Sequence, residues 1–360
     1  MQDRAALAKQ RYSIIPHMQE YDALRQYVMP YVSQSNPPGH HGNAVETDHL
    51  GFRVSYWRNQ KLDSKSWFAI KGVKKTLLTG GSVGFGWGAT SDLATPASLL
   101  SQEINSPVQS LGIMAGTSIQ ESIAALPFYH AADHIVSITS LNTLLCCLAA
   151  TPNFFDLYGP CYPFNNRFWE DVWRYDVLML RYLVSDDINP KSFFKQKSQS
   201  RLFRQNLYDR FKRRVMNRLK PQQTSLTRRS LEEGLQYAVD ITCRDIHNMH
   251  NAAGKKPYIC ALQPHAPSMK RELSLEEKQL AEIAKNLMAA DMYDYTYVTF
   301  PKIWPRYIAE IRRYCEAHEI KYLDLNEANY DGWCFMDSCH FTDRGNLITA
   351  KAIAGAMTKL

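Results

Sequence analysis

The sequence predicts an α/β protein, a three-layer α/β/α sandwich on a five-stranded, mostly parallel sheet with a helical insertion. Three observations carry this reading. Short apolar runs at 76–79, 108–113, 134–139, 258–262 and 320–325 alternate with helix-length stretches, and strands that alternate with helices imply a parallel sheet covered on both faces. The rhythm breaks off between about 151 and 230. The 360 residues, 45% of them hydrophobic, are ample for a large core in one domain or two.

The elements follow in order. Residues 1–70 are aromatic-rich and irregular in pattern, with Asn36-Pro-Pro-Gly-His-His-Gly42 as a loop; they read as an N-terminal extension packed on the core. Residues 71–150 form the first half of the α/β domain. In the insertion, 151–230, Trp169, Val172, Trp173, Val177, Leu180 and Val184 recur at helical spacing, and 193–219 reads as a second, basic helix, so the insertion has the makings of a lid. Residues 231–360 form the second half. Its helix starts are marked by Ser230-Leu-Glu-Glu233 and Ser274-Leu-Glu-Glu277, capping boxes in which serine and glutamate side chains satisfy orphan backbone N–H groups.

Charge and cysteine usage exclude several classes. The net charge of +7 sits in one segment, because 195–229 holds twelve Lys/Arg against Asp209 alone, a local +11 that leaves the remainder at −4. That segment reads as a solvated helix face with a buried stripe of Phe194, Phe203, Leu207, Phe211 and Val215, and no nucleic-acid partner is expected. Guidance of an anionic substrate is the other reading. The eight cysteines show no paired CxxC spacing and several lie in apolar runs, which points to free core thiols. His40, His41 and His49 lack spaced carboxylate or cysteine partners, so no metal is expected. The N-terminus lacks a basic-then-apolar leader, and no run of about 18 apolar residues exists to span a bilayer. The expectation is a cytoplasmic protein without cofactor; the sequence does not specify its oligomeric state.

The chemistry lies in two distant segments. Lys75-Thr-Leu-Leu-Thr-Gly-Gly-Ser82 reads as a buried strand running into a glycine-rich turn that presents a serine, and Asp337-Ser-Cys-His340 sets a carboxylate three residues before an imidazole. A serine hydroxyl is a weak nucleophile until a base is held against it, and attack on a carbonyl needs donors where negative charge develops. Gly116, just past the second strand, offers a backbone N–H, and Asn142, just past the third, an amide. All five residues fall at one end of the sheet, where ligands collect in open parallel folds. Gly84-x-Gly86-x-Gly88 lacks the spacing of a dinucleotide or phosphate loop. Cys339 is expected, by analogy with loops of this type, to face away from the base and to be structural, while Phe85 and Trp87 either line an acyl pocket or pack on a helix.

These segments, in this order, resemble those of the SGNH (GDSL-like) hydrolases over most of the α/β core. The resemblance implies a flavodoxin-like strand order and a triad of Ser82, Asp337 and His340. It also implies an oxyanion hole from the Ser82 and Gly116 N–H groups and the Asn142 amide. The ending His340-Phe-Thr-Asp-Arg-Gly-Asn346 is similar to the family's, where a helix starts just after the histidine. Thr47-Asp-His-Leu-Gly-Phe-Arg53 resembles a segment of bacterial members linked to sugar and metabolite acylation. The chain departs from the pattern at Gly81, where Gly-Asp-Ser has aspartate, and at Ser140 and Thr143, where Gly-x-Asn-Asp has glycine and aspartate. The implied activity is an acyl-ester hydrolase acting on a small-molecule or carrier-bound ester. With an alcohol in place of water the same triad makes an acyltransferase. The altered blocks also allow a non-catalytic binding or regulatory protein, since some bacterial proteins of this type are named for inducing phenazine production.

Overall fold

The computed structural model describes residues 4–24, 35–139, 141–149, 230–288 and 293–359. All belong to the compact unit formed by residues 1–162 and 229–360. The insertion expected at 151–230 lies outside the described residues except for Ser230, and so do Ser140 and the basic segment 195–229.

In chain order the described elements are α1 (Arg4–Ile14), α2 (Met18–Ala23), β1 (Ser55–Trp57), β2 (Gln60–Leu62), α3 (Ser64–Ala69), β3 (Thr76–Gly80), α4 (Ser82–Phe85), α5 (Pro96–Glu103), β4 (Val108–Ser110), α6 (Ser118–Ala125), β5 (His134–Thr139) and α7 (Leu141–Ala149). After the insertion come α8 (Leu231–Ala253), β6 (Tyr258–Leu262), α9 (Leu275–Leu287), α10 (Phe300–Ala317), β7 (Lys321–Asp324) and α11 (Asp343–Met357).

Five strands form one sheet in the order β4-β3-β5-β6-β7. Every pairing in it is parallel, which gives the flavodoxin-like order with a crossover at β3. The 108–113 run is assigned as strand only to Ser110, yet its ladder continues, with Leu111 N–H donating to Leu78 O at 2.8 Å and Ile113 N–H to Gly80 O at 2.9 Å.

Alternation along the strands makes the three layers. Leu77, Ile135 and Cys260 join one core with Leu144, Ile246 and Tyr307 of α7, α8 and α10. Their neighbours Leu78, Val136 and Ile259 join the other with Leu100 of α5 and Ile353 of α11. Successive strand side chains point to opposite faces, so uninterrupted apolar strands demand helices on both sides.

The described part of the first 70 residues is more regular than its pattern suggests. Strands β1 and β2 make an antiparallel hairpin turned by Arg58 and Asn59, both at positive φ (50° and 60°). Such turns usually carry Asn-Gly, and without a glycine the sequence signal is weak. Here Arg58 lays its guanidinium over the Trp57 ring at 4.6 Å.

Candidate active site

Ser82 is the first residue of α4, immediately beyond β3. Its N–H therefore has no partner four residues back within the helix. The helix closes after one turn because Gly86, at φ 78°, caps it, and Trp87 N–H returns to Ser82 O at 2.9 Å. The turn has little room. A Cβ on Gly81 would lie 2.7 Å from Asn142 Nδ2 and 3.3 Å from Gly116 O. A larger residue at 81 would have to displace the Asn142 amide.

His340 reaches the serine from 258 positions away, with Nε2 2.7 Å from Ser82 Oγ. Its Nδ1 lies 2.6 Å from Asp337 Oδ2. The tautomer that satisfies both contacts carries its proton on Nδ1, so Nε2 accepts from the serine hydroxyl. Asp337 Oδ1 takes the backbone N–H groups of Cys339 (2.9 Å) and His340 (2.8 Å), which locks the carboxylate plane to the loop. The loop is tied at both ends by Met336 N–H donating to His340 O at 2.8 Å and Ala266 N–H to Ser338 O at 2.8 Å. Just before it, the α9 capping residue Glu277 also accepts Cys334 N–H (3.1 Å) and Phe335 N–H (2.9 Å).

The electrostatics match this geometry. Burial opposes charge on both groups, but the imidazole and the two backbone N–H groups hold the Asp337 carboxyl well below the usual carboxylate range. In the same way, burial works against charge on His340, and Asp337 overrides it, raising the imidazole well above its ordinary value. The side chains remain partly open, 19% exposed for His340 and 34% for Asp337. Another nearby histidine, His265, is fully buried against Phe300 and Trp304, and burial pushes its pKa down to about 3.

Asn142 sits at the start of α7 and donates one amide hydrogen to Gly116 O at 2.8 Å. Its second amide hydrogen is not used in that bond. Gly116 differs from the sequence expectation, because its N–H donates to Ile113 O at 2.9 Å and closes a turn with Ala115 at φ 57°. In this conformation Gly116 meets the site through its carbonyl, which orients the Asn142 amide. Thr143, where the family pattern has aspartate, accepts from Ser118 N–H at 2.9 Å, and Ser118 Oγ donates to Asp245 Oδ2 at 2.6 Å.

Other expectations come out differently. Cys339 does not face away, since its Sγ lies 3.8 Å from His340 Nδ1, although burial pushes the thiol up and leaves it protonated. Asp337, Cys339 and His340 are also the only His/Cys/Asp/Glu group close enough to share an ion among the described residues. Phe85 is fully buried in a cluster with Met18, Tyr21 and Met336, so it packs, whereas the half-buried Trp87 lies 5.9 Å from the His340 ring. His41 is bonded to Glu46 at 2.8 Å.

The residues missed in the sequence are those that hold the site's loops. Arg53 is completely buried and donates to Gly86 O (2.7 Å), Tyr21 Oη (2.7 Å) and Asp92 Oδ1 (2.8 Å). Asn36 donates to Gly112 O (2.8 Å) and accepts from Met114 N–H (2.9 Å). His17 Nε2 contacts Gly88 O at 2.8 Å. Arg53 ends the Thr47–Arg53 segment singled out in the sequence, but nothing in its spacing reports burial. No described helix is long and apolar enough to cross a membrane.

The chain matches no protein-family model and no curated protein. Solved structures similar to it include a carbohydrate acetylesterase family member from Sinorhizobium meliloti, at 8% identity over 79% of this chain and 98% of that one, with a TM-score of 0.41. They also include the native aryl esterase of M. smegmatis, at 12% identity over 80% and 99% with a TM-score of 0.38. A third is a G-D-S-L family protein from Desulfitobacterium hafniense DCB-2, at 9% identity over 79% and 99% with a TM-score of 0.38. At these identities and scores the likeness carries no argument, and the chemistry rests on the distances around Ser82.

Proposed function

We propose that this protein is a serine-dependent acyl-ester hydrolase of the SGNH type. The observation that carries the reading is the hydrogen-bonded chain Ser82 Oγ to His340 Nε2 to Asp337, at 2.7 and 2.6 Å, assembled from two ends of the sequence. Ser82 Oγ attacks the ester carbonyl while His340 Nε2 takes its proton. Asp337 holds the imidazole tautomer and stabilises the imidazolium that forms. Collapse of the tetrahedral intermediate expels the alcohol, which receives the proton from His340. Water, activated by the same nitrogen, then releases the acid and restores Ser82.

The Ser82 N–H and the second amide hydrogen of Asn142 serve the oxyanion, with Gly116 O fixing the amide. Losing one such donor typically costs about 10²- to 10³-fold in rate. The substrate is a small-molecule acyl ester, which suits a serine reached between small residues and one half-buried indole.

The test is intact mass of the wild type and Ser82→Ala after incubation with a fluorophosphonate, alongside turnover of p-nitrophenyl acetate. One adduct on the wild type alone, with turnover lost in the variant, is the expected result. A folded wild type that neither labels nor turns over would overturn the proposal.

A further inference from the structure

Glu121 is a buried acid that the mechanism above does not use. It lies on α6, 2% exposed, and its Oε2 has no hydrogen-bond partner among the described residues. Its Oε1 lies 3.7 Å from the point where a Cβ on Gly81 would stand, the same point that is 2.7 Å from Asn142 Nδ2. The carboxyl is therefore packed behind the Gly81–Ser82 peptide, on the side where the Asn142 amide is held.

Among the described residues, the groups that interact with it offer no cation. Thr139 of β5 supplies a hydroxyl, and Tyr129, Cys260 of β6 and Asp245 of α8 are the titratable groups that interact with it. Asp245 is itself engaged by Arg244 at 2.8 Å and Ser118 at 2.6 Å. A carboxyl taken out of water without a positive partner stays protonated, because an unpaired buried charge is far costlier than a neutral acid.

We propose that Glu121 is a positioning residue that supports the oxyanion pocket only as the neutral acid, and that its ionisation shuts off acyl transfer as pH rises. The proposal rests on the Ser82–His340–Asp337 reading. In the neutral state the carboxyl fills the space behind Gly81 without charge. When the proton leaves to solvent, the carboxylate attracts the Asn142 amide inward and repels the negative charge developing on the substrate oxygen. Burial first, then Asp245, pushes the Glu121 pKa up to about 8 against the opposing effect of the nearby Thr139 hydroxyl, which puts the transition within reach of assay. His340 must be neutral to act as base, and because Asp337 raises its pKa the acid limb lies close beneath the Glu121 transition, so the wild-type bell is narrow.

The experiment is the pH profile of kcat/KM for p-nitrophenyl acetate in the wild type and Glu121→Gln, with Ser82→Ala subtracting background hydrolysis. The expected wild-type profile is a bell whose alkaline limb falls about 10-fold one pH unit above its midpoint, as titration of one group requires. Glu121→Gln keeps the acid limb and loses the alkaline one, its activity staying within a few-fold on the plateau. A purely structural role predicts a lower plateau with the limb unchanged, and that result would overturn the proposal. So would a wild-type profile flat on the alkaline side, which needs no variant to fold. If Ser82→Ala were as active as the wild type, the triad reading would be the one to fail.

Discussion

Gly81 offers the sharpest test of how the site is built. Its backbone, at φ −77° and ψ −146°, lies on the side of φ open to any residue, so a side chain there is opposed by space alone. The obstacle is specific, with Asn142 Nδ2 2.7 Å and Gly116 O 3.3 Å from the new Cβ. The amide is the softer of the two and must retreat from the serine. Gly81→Ala should therefore lower kcat for p-nitrophenyl acetate by about 10²-fold, near the loss of one oxyanion donor, or roughly 3 kcal/mol. KM should change little, because the lost interaction is made in the transition state. Overpacking would cost about 1–3 kcal/mol of stability, and circular dichroism and thermal unfolding would show that the variant is folded. Gly81→Asp, which recreates the Gly-Asp-Ser pattern, should be no more active, because it adds a charge between the Asn142 amide and the buried Glu121. In an Asn142→Ala background the Gly81→Ala change should cost little more, a non-additivity that reports the shared contact. A Gly81→Ala enzyme within threefold of the wild type, or additive losses, would refute the reasoning.

Asp337→Asn tests the direction of the imidazole shift. Asp337 raises the His340 pKa, and the base is lost as pH falls through that raised value, so the acid limb of kcat/KM should move to lower pH in the variant. Its plateau should fall on the order of 10⁴-fold through the wrong tautomer; an unmoved limb would mean that another group titrates there. Arg53→Met should leave the Asp92 carboxylate, 11% exposed, without its cation, lowering stability by about 3–5 kcal/mol in urea unfolding. A loss under 1 kcal/mol would show that solvent replaces the arginine.

Legibility in the sequence followed the range of the interactions. The five strands were readable because each is an apolar run of the length that a two-faced parallel sheet requires, and Ser230–Glu233 and Ser274–Glu277 close as capping boxes because that contact spans only three residues. Ser82, Asp337 and His340 were found as residues at turns beyond strands, whereas the 2.7 Å contact between Ser82 and His340 is a product of strand order. What stayed hidden was set by the third dimension. The commitment of the Gly116 N–H to Ile113, the approach of Cys339 Sγ to His340, and the hairpin at Arg58–Asn59 depend on backbone angles that no residue type there announces. Glu121 looked like any helix glutamate, since its four-residue neighbours Thr117 and Ala125 give no sign of a buried face.

The N-terminal residues fit the same logic. The loops after β3 and β4 carry the serine and the carbonyl that orients Asn142, yet both leave the sheet after only a few paired residues and end in glycine-rich turns. Backbone of that kind has many conformations open to it, and a hydrogen-bond donor displaced by about 1 Å costs roughly 10²-fold in rate. Something outside the loops must hold them. Arg53 holds the first at Gly86 O, with Tyr21 at Ala89 O (2.7 Å) and His17 at Gly88 O, and Asn36 holds the second at Gly112 O and Met114 N–H. Tyr21 lies on α2 and His17 caps it, Asn36 and Arg53 lie outside the helices and strands, and each of the four bonds to main chain in a loop of the core. Side chains that grip carbonyls and N–H groups place few demands on the identity of the residues gripped. On this argument Arg53, Tyr21, His17 and Asn36 belong to what fixes the loops around Ser82 and Asn142.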